Sequence, residues 1–122
     1  MSDQGGCLCG AVRYEVDGAP LRTAHCHCES CRRAVGAVVA TFACFSASSF
    51  RYIKGVPAVY QSSPGVRRTF CSRCGTSLTY QGEKWANEIH VLTATFDHPE
   101  NFPTTHQAFA AERIPWFHIG MD

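Results

Sequence analysis

The chain has 122 residues, a formal net charge of +1, and a composition that is 45% hydrophobic and 17% charged. That length holds one hydrophobic core and no second one, and the apolar content excludes an intrinsically disordered chain. Eleven basic against ten acidic residues leaves no basic excess of the kind a nucleic-acid binder carries. No apolar run approaches the roughly 20 residues that cross a bilayer. The start, Met1-Ser2-Asp3-Gln4-Gly5-Gly6, has neither the basic nor the apolar segment of a signal peptide. A cytoplasmic protein with no membrane or nucleic-acid partner is expected.

In chain order, Gly5-Gly6-Cys7-Leu8-Cys9-Gly10 is a tight loop with glycine on both sides of a CxC pair. Residues 11–16 alternate, putting Val12, Tyr14 and Val16 on one face of a half-buried strand. Asp17-Gly18 and Pro20 mark a turn, and residues 21–24 run extended into Cys26-His27-Cys28-Glu29-Ser30-Cys31. Residues 36–42 are small and β-branched and read as a central strand, with Phe42, Phe45 and Phe50 as core residues. Residues 46–50 suit one helical turn capped by Ser46. Strands are expected at 51–55 and 56–62, then a turn at Ser63-Pro64-Gly65 and a strand at 66–70.

That strand enters Cys71-Ser72-Arg73-Cys74-Gly75, where Gly75 is expected at positive φ because a knuckle turn aims backbone N–H groups at its sulfurs. Residues 76–80 form the exit strand, 81–84 a turn, and 87–96 a further alternating strand. Asp97-His98-Pro99 breaks it, 101–106 is irregular, and 107–111 is extended or helical. The aromatic stretch 114–118 is expected to pack back over the sheet. Many short strands with Gly and Pro turns predict a single all-β domain over 1–122, pinned by metal.

The chain has eight cysteines. Cys7, Cys9, Cys71 and Cys74 supply four sulfurs, enough to close one tetrahedral zinc site. Cys26, Cys28 and Cys31 supply three more, so a second zinc keeps one position for water or substrate. A disulfide framework is the competing account, but CxC pairs are poor intramolecular disulfides and nothing signals export. Seven thiolates on two zinc ions bring the formal charge to about −2. Cys44 stands apart from every ligand spacing and reads as a small buried apolar residue.

Three motifs in order, Gly6-x-Cys-x-Cys-Gly10, Cys26-His-Cys-x-x-Cys31 and Phe70-Cys-x-x-Cys-Gly75, resemble the glutathione-dependent formaldehyde-activating enzyme family, also called centromere protein V-like. Ser62-Ser63-Pro64-Gly65, Gly75-Thr76-x-Leu78 and Pro115-Trp116 carry the same likeness. The resemblance implies an Mss4-like fold of stacked short antiparallel sheets clamped by a structural zinc on Cys7, Cys9, Cys71 and Cys74. It implies a catalytic zinc on Cys26, Cys28 and Cys31. It also implies a carbon–sulfur lyase that joins glutathione, as co-substrate, to formaldehyde, giving S-hydroxymethylglutathione. Family members often continue past the point where Met121-Asp122 ends this chain, so either a shortened final segment or a truncated chain is expected.

On this reading the catalytic set is Cys26, Cys28, Cys31 and His27, the last as a proton carrier because histidine titrates near neutrality. Arg32 and Arg33 would favour the thiolates and draw in an anion, and Arg67, Arg68 and Arg73 would receive the carboxylates of glutathione. Arginine pairs also serve as solvated turns and strand edges. His25 reads as a hydrogen-bonding neighbour of the cluster, His90 and His106 as ordinary residues, with loop His106 also able to reach a cleft, and Thr41 and Phe42 as candidates to line one. The partners are then a small thiol and an aldehyde, and the assembly a monomer or homodimer. Two other classes compete. A non-catalytic zinc scaffold would complete the second site with a protein ligand, and a thiol redox protein would need Cys44 reactive in a cleft.

Overall fold

The computed structural model describes residues 2–119 and folds them into two β-sheets and one short helix. The strands are β1 (Ser2–Gly6), β2 (Arg13–Asp17), β3 (Arg22–Cys26), β4 (Ala40–Ser46) and β5 (Phe50–Lys54). They continue with β6 (Ala58–Ser63), β7 (Val66–Phe70), β8 (Ser77–Gly82), β9 (Glu88–Leu92) and β10 (His106–Ala108). The helix, α1, is Glu29–Val35. The small sheet has the order β1-β2-β5, and the large one β10-β3-β4-β9-β8-β7-β6. Every pairing is antiparallel except β10 with β3, which is parallel and so departs from the purely antiparallel stack expected. No helix among the described residues is long and apolar enough to cross a membrane.

Successive side chains on a strand point to opposite faces, and here that separates the core from the site. Ala43 and Phe45 of β4, Ile89 and Val91 of β9 and Leu78 of β8 face the small sheet. They meet Tyr14 and Val16 of β2, with Phe96 and Phe102 closing the layer. Phe45 is 1% exposed and sits edge-on to Phe102 at 5.9 Å between ring centroids. The alternation expected of Val12, Tyr14 and Val16 is present, since all three are buried. The other face of the large sheet carries Cys26, Phe42 and Cys44, with Tyr80 and Leu92 packed beside them. Phe42 therefore belongs to that second face and Phe45 to the core.

Several expected elements are corrected. Residues 36–42 are not one strand. They begin with Gly36, which ends α1 at φ 68 and donates its N–H to the Arg32 carbonyl at 2.8 Å, and β4 starts only at Ala40. The strand expected over 87–96 stops at Leu92, because the Thr95 hydroxyl donates to the Leu92 carbonyl at 2.7 Å and residues 93–95 make a 3₁₀ turn. The turn after β4 forms, but the Ser46 hydroxyl is 3.0 Å from that of Ser48 and caps no backbone N–H. Gly5 and Gly6 end strand β1 rather than belonging wholly to a loop. Of the aromatic tail, Phe117 returns to within 6.4 Å of the His27 ring, while Trp116 stays 70% exposed. The shortened segment expected at Met121-Asp122 lies outside the described residues.

Candidate active site

Four sulfurs converge where the two sheets are joined. Cys7 and Cys9 come from the β1–β2 loop, Cys71 and Cys74 from the β7–β8 loop, and all four lie within 4.8 Å of one another. Cys7 is 3.7 Å from Cys9, and Cys9 is 3.8 Å from Cys71. A tetrahedral ion with metal–sulfur bonds of about 2.3 Å requires sulfur–sulfur edges of about 3.8 Å, so the cluster fits such an ion. Backbone N–H groups of Val12 and Cys74 donate to the sulfurs of Cys7 and Cys71 at 3.3 and 3.4 Å. The Thr76 hydroxyl, 3.2 Å from Cys74, is the main cause that pulls that thiol down to about 5. Gly75 adopts φ +81, as a knuckle requires, and its N–H returns to the Cys71 carbonyl at 2.8 Å.

The second cluster, Cys26, Cys28 and Cys31, also lies within 4.8 Å. Cys26 ends β3, Cys28 is the N-cap of α1, and Cys31 lies in the first turn of that helix, so sheet and helix each contribute. Cys26 is 3.5 Å from Cys28, and the N–H of Cys31 donates to the Cys28 sulfur at 3.3 Å. Cys31 is drawn down to about 6, first by the hydrogen bond from Cys26 and further by Arg68. Cys26 is pushed up by that same interaction with Cys31, and Cys28 is raised chiefly by burial. Among the described residues no histidine or carboxylate joins the three sulfurs.

A cavity of about 1070 Å³ opens beside this second cluster. Cys26, Cys28 and Cys31 line it, and none of Cys7, Cys9, Cys71 and Cys74 does. Ser77, the first residue of β8, donates its hydroxyl to the Ala34 carbonyl at 3.1 Å, tying the exit of the four-cysteine knuckle to α1.

The arginines separate by face. Arg68 lines the cavity, and both its terminal nitrogens lie 3.8 Å from the Cys31 sulfur. Its sequence neighbour Arg67 points the opposite way and is exposed, and Arg73 is exposed in the knuckle; neither lines the cavity. Arg33 reaches the rim but pairs with Glu29 at 2.9 Å. Arg32 donates from Nε to the His27 carbonyl at 3.0 Å and closes the turn between the cysteines.

His27 is fully buried and does not line the cavity. Its Nε2 meets Gln107 Oε1 at 2.5 Å, so it braces the cysteine turn against β10. His25 Nδ1 and Thr41 Oγ1 meet at 2.8 Å on the face away from the cavity. His106 also lies off the lining.

His90, read from sequence as ordinary, lines the cavity together with Arg22, Tyr80, Trp85 and Phe109. No local spacing marks this group, because cross-strand pairing assembles it. Cys44 also borders the cavity, 2% exposed, and burial raises its thiol to about 11, which suits a packing residue rather than a redox thiol.

Comparison with known proteins places this arrangement. A protein of Schizosaccharomyces pombe named as an uncharacterized lyase is 30% identical over 98 residues, covering 80% of this chain and 71% of that protein. A Halomonas elongata protein, provisionally named a glutathione-dependent formaldehyde-activating enzyme, is 29% identical over 103 residues. That match covers 77% of this chain and 65% of that protein's own length. A Rhodobacter sphaeroides protein of known crystal structure superimposes with a TM-score of 0.70 at 27% identity, covering 86% of this chain and 99% of that one. The family model described as glutathione-dependent formaldehyde-activating enzyme matches residues 2–112, a span that contains both cysteine clusters and every strand described, and the chain belongs to that family.

Proposed function

We propose that the chain is a lyase-type enzyme that joins a thiol to an aldehyde, with glutathione and formaldehyde as the pair named in the family description. The observation that carries this reading is the segregation of the sulfurs: three line a large cavity and four are set apart from it. Cys7, Cys9, Cys71 and Cys74 would hold a structural zinc that ties the sheets, and Cys26, Cys28 and Cys31 a second zinc at the cavity wall. A zinc ion held there would take an incoming thiol as its fourth ligand and lower that thiol's pKa.

The chain's own residues supply the surroundings. Arg68 sets a guanidinium beside Cys31, where it offsets thiolate charge and has donors for a substrate carboxylate. Arg32 and His27 hold the Cys26–Cys28 turn in place. In the addition, a sulfur–carbon bond forms, the carbonyl π bond opens, and the proton lost from the thiol is matched by one gained at the oxygen.

Two measurements on anaerobically purified protein test the reading: zinc content, and exchange NMR of labelled formaldehyde with glutathione. Zinc in both sites and exchange into S-hydroxymethylglutathione above the uncatalysed rate are expected, and Cys28→Ser should lose the second zinc and the acceleration together. An uncatalysed rate from fully zinc-loaded protein overturns formaldehyde as the aldehyde.

A further inference from the structure

The cavity is larger than formaldehyde needs. A site for a whole drug-sized ligand occupies about 300–1,000 Å³, and this one is about 1070 Å³. Strand registers give its floor an order. Arg68 is paired with Tyr80, Tyr80 with His90, His90 with Cys44 and Cys44 with Arg22. Directly paired residues point to the same side of a sheet, so these side chains form one row leading away from the cysteine cluster. Strands lie about 4.8 Å apart, which sets His90 about 10 Å across the floor from Arg68.

The row is aromatic and its outer end is cationic. Tyr80, Trp85 and Phe42 surround His90 at centroid distances of 5.4, 5.7 and 6.1 Å. His90 Nε2–H donates to Glu88 at 2.9 Å, and burial is the main cause that lowers its pKa. Arg22 is occupied by the same carboxylate at 2.6 Å. Lys84 is not occupied in this way. Its ammonium lies 5.9 Å from the Trp85 ring and 5.7 Å from the Phe109 ring, between two segments far apart in sequence. Phe109 is held at φ 54, a conformation bulky residues rarely adopt, and 47% of it is exposed at the mouth. Among the described residues no carboxylate pairs with Lys84, and no Asp or Glu lines the cavity.

An aromatic floor, a cation without a counter-ion and a wall without acids suit a flat apolar molecule that carries negative charge. We propose that Tyr80, His90, Trp85, Phe109 and Lys84 bind the body of the substrate aldehyde, and that this aldehyde is an aryl aldehyde bearing a carboxylate. This rests on the thiol–aldehyde reading above. The ammonium group of glutathione would find in this half of the cavity only Glu88, already held by Arg22 and His90. The addition is the balanced one already written, and it needs no oxidant or reductant.

The test has a binding arm and a kinetic arm. Calorimetry on zinc-loaded protein compares 4-methylbenzoate with 4-methylbenzyl alcohol and 4-methylbenzylamine. The carboxylate should bind at least about tenfold more tightly than either, and Trp85→Ala or Lys84→Ala, each checked for fold by circular dichroism, should weaken it severalfold. Equal binding of all three probes, or binding indifferent to both substitutions, overturns the proposal. In the kinetic arm, kcat/KM with glutathione should favour 4-formylbenzoate over benzaldehyde, and Lys84→Ala should bring the ratio towards one. Selective binding with no aldehyde turned over upholds the anion site and defeats the thiol–aldehyde reading. Turnover of formaldehyde with no selective binding defeats the aryl-carboxylate proposal and leaves that reading standing.

Discussion

Both terminal nitrogens of Arg68 lie 3.8 Å from the sulfur of Cys31. The same guanidinium stands 5.0 Å from the Tyr80 ring centroid, and its Nε donates to the Ser62 hydroxyl at 3.1 Å. Contacts to three separate elements fix the fork where it meets the sulfur. Groups that orient metal ligands in this way commonly change metal affinity or activity by about 10–100-fold when removed. Arg68→Ala is expected to weaken zinc retention at the second site by that order, read by competition with a chromogenic chelator. Arg68→Lys should restore little, because an ammonium cannot present two parallel donors. Unchanged retention in both variants would remove Arg68 from the site.

The two cysteine sets should fail differently. Cys71→Ser removes a sulfur from the cluster that joins both sheets, and a structural zinc held there would contribute folding free energy directly. Loss of the cooperative thermal transition is expected. Cys31→Ser should keep that transition and lose one zinc per chain. Equal loss of folding from both substitutions would show that the division of labour is wrong.

Gly75→Ala isolates a backbone effect. Nothing stands within 4 Å of where its Cβ would go, so the cost comes from φ +81 alone. Left-handed backbone costs an L-residue about 1–2 kcal/mol, and a melting temperature lower by about 4–8 °C follows for a domain of this size. A larger fall would mean that the knuckle has also lost its zinc, which metal analysis of the same sample decides.

The pair of Arg22 with Glu88 gives a pH signature. The hydrogen bond from Arg22 is the main cause that lowers the Glu88 pKa below 4.5. A depressed carboxylate contributes stability above its unfolded value and loses it as pH falls through the folded value. For a partly exposed pair the contribution is less than about 1 kcal/mol. Melting temperatures of the wild type should therefore fall more steeply below about pH 4.5 than those of Glu88→Gln. Parallel acid limbs would show that the pair contributes nothing.

Chemistry that depends on local spacing could be read from the chain, and chemistry that depends on strand register could not. The partition of seven cysteines into four and three follows from sequence intervals alone, and both groups assemble. The buried face of Val12, Tyr14 and Val16 and the positive φ of Gly75 also follow from neighbouring residues. Helix α1 is only seven residues long, too short for a periodic signal, and two of its capping-region positions are cysteines that look like ligands first. Of the neighbours Arg67 and Arg68, one must face the cavity and the other solvent, but the choice depends on how β7 pairs with β6 and β8. His90 looked ordinary because its neighbours across the floor lie on other strands.

The row from Arg68 to Arg22 also fixes how the cavity measures length. It runs across the strands, so its steps are counted in strands and not in residues. From Arg68, Tyr80 is one step of about 4.8 Å, His90 two, and Arg22 four, about 19 Å in all. Lengthening a strand leaves this ruler unchanged, and a new graduation requires a strand gained or lost. Tyr80 and His90 occupy its first two marks.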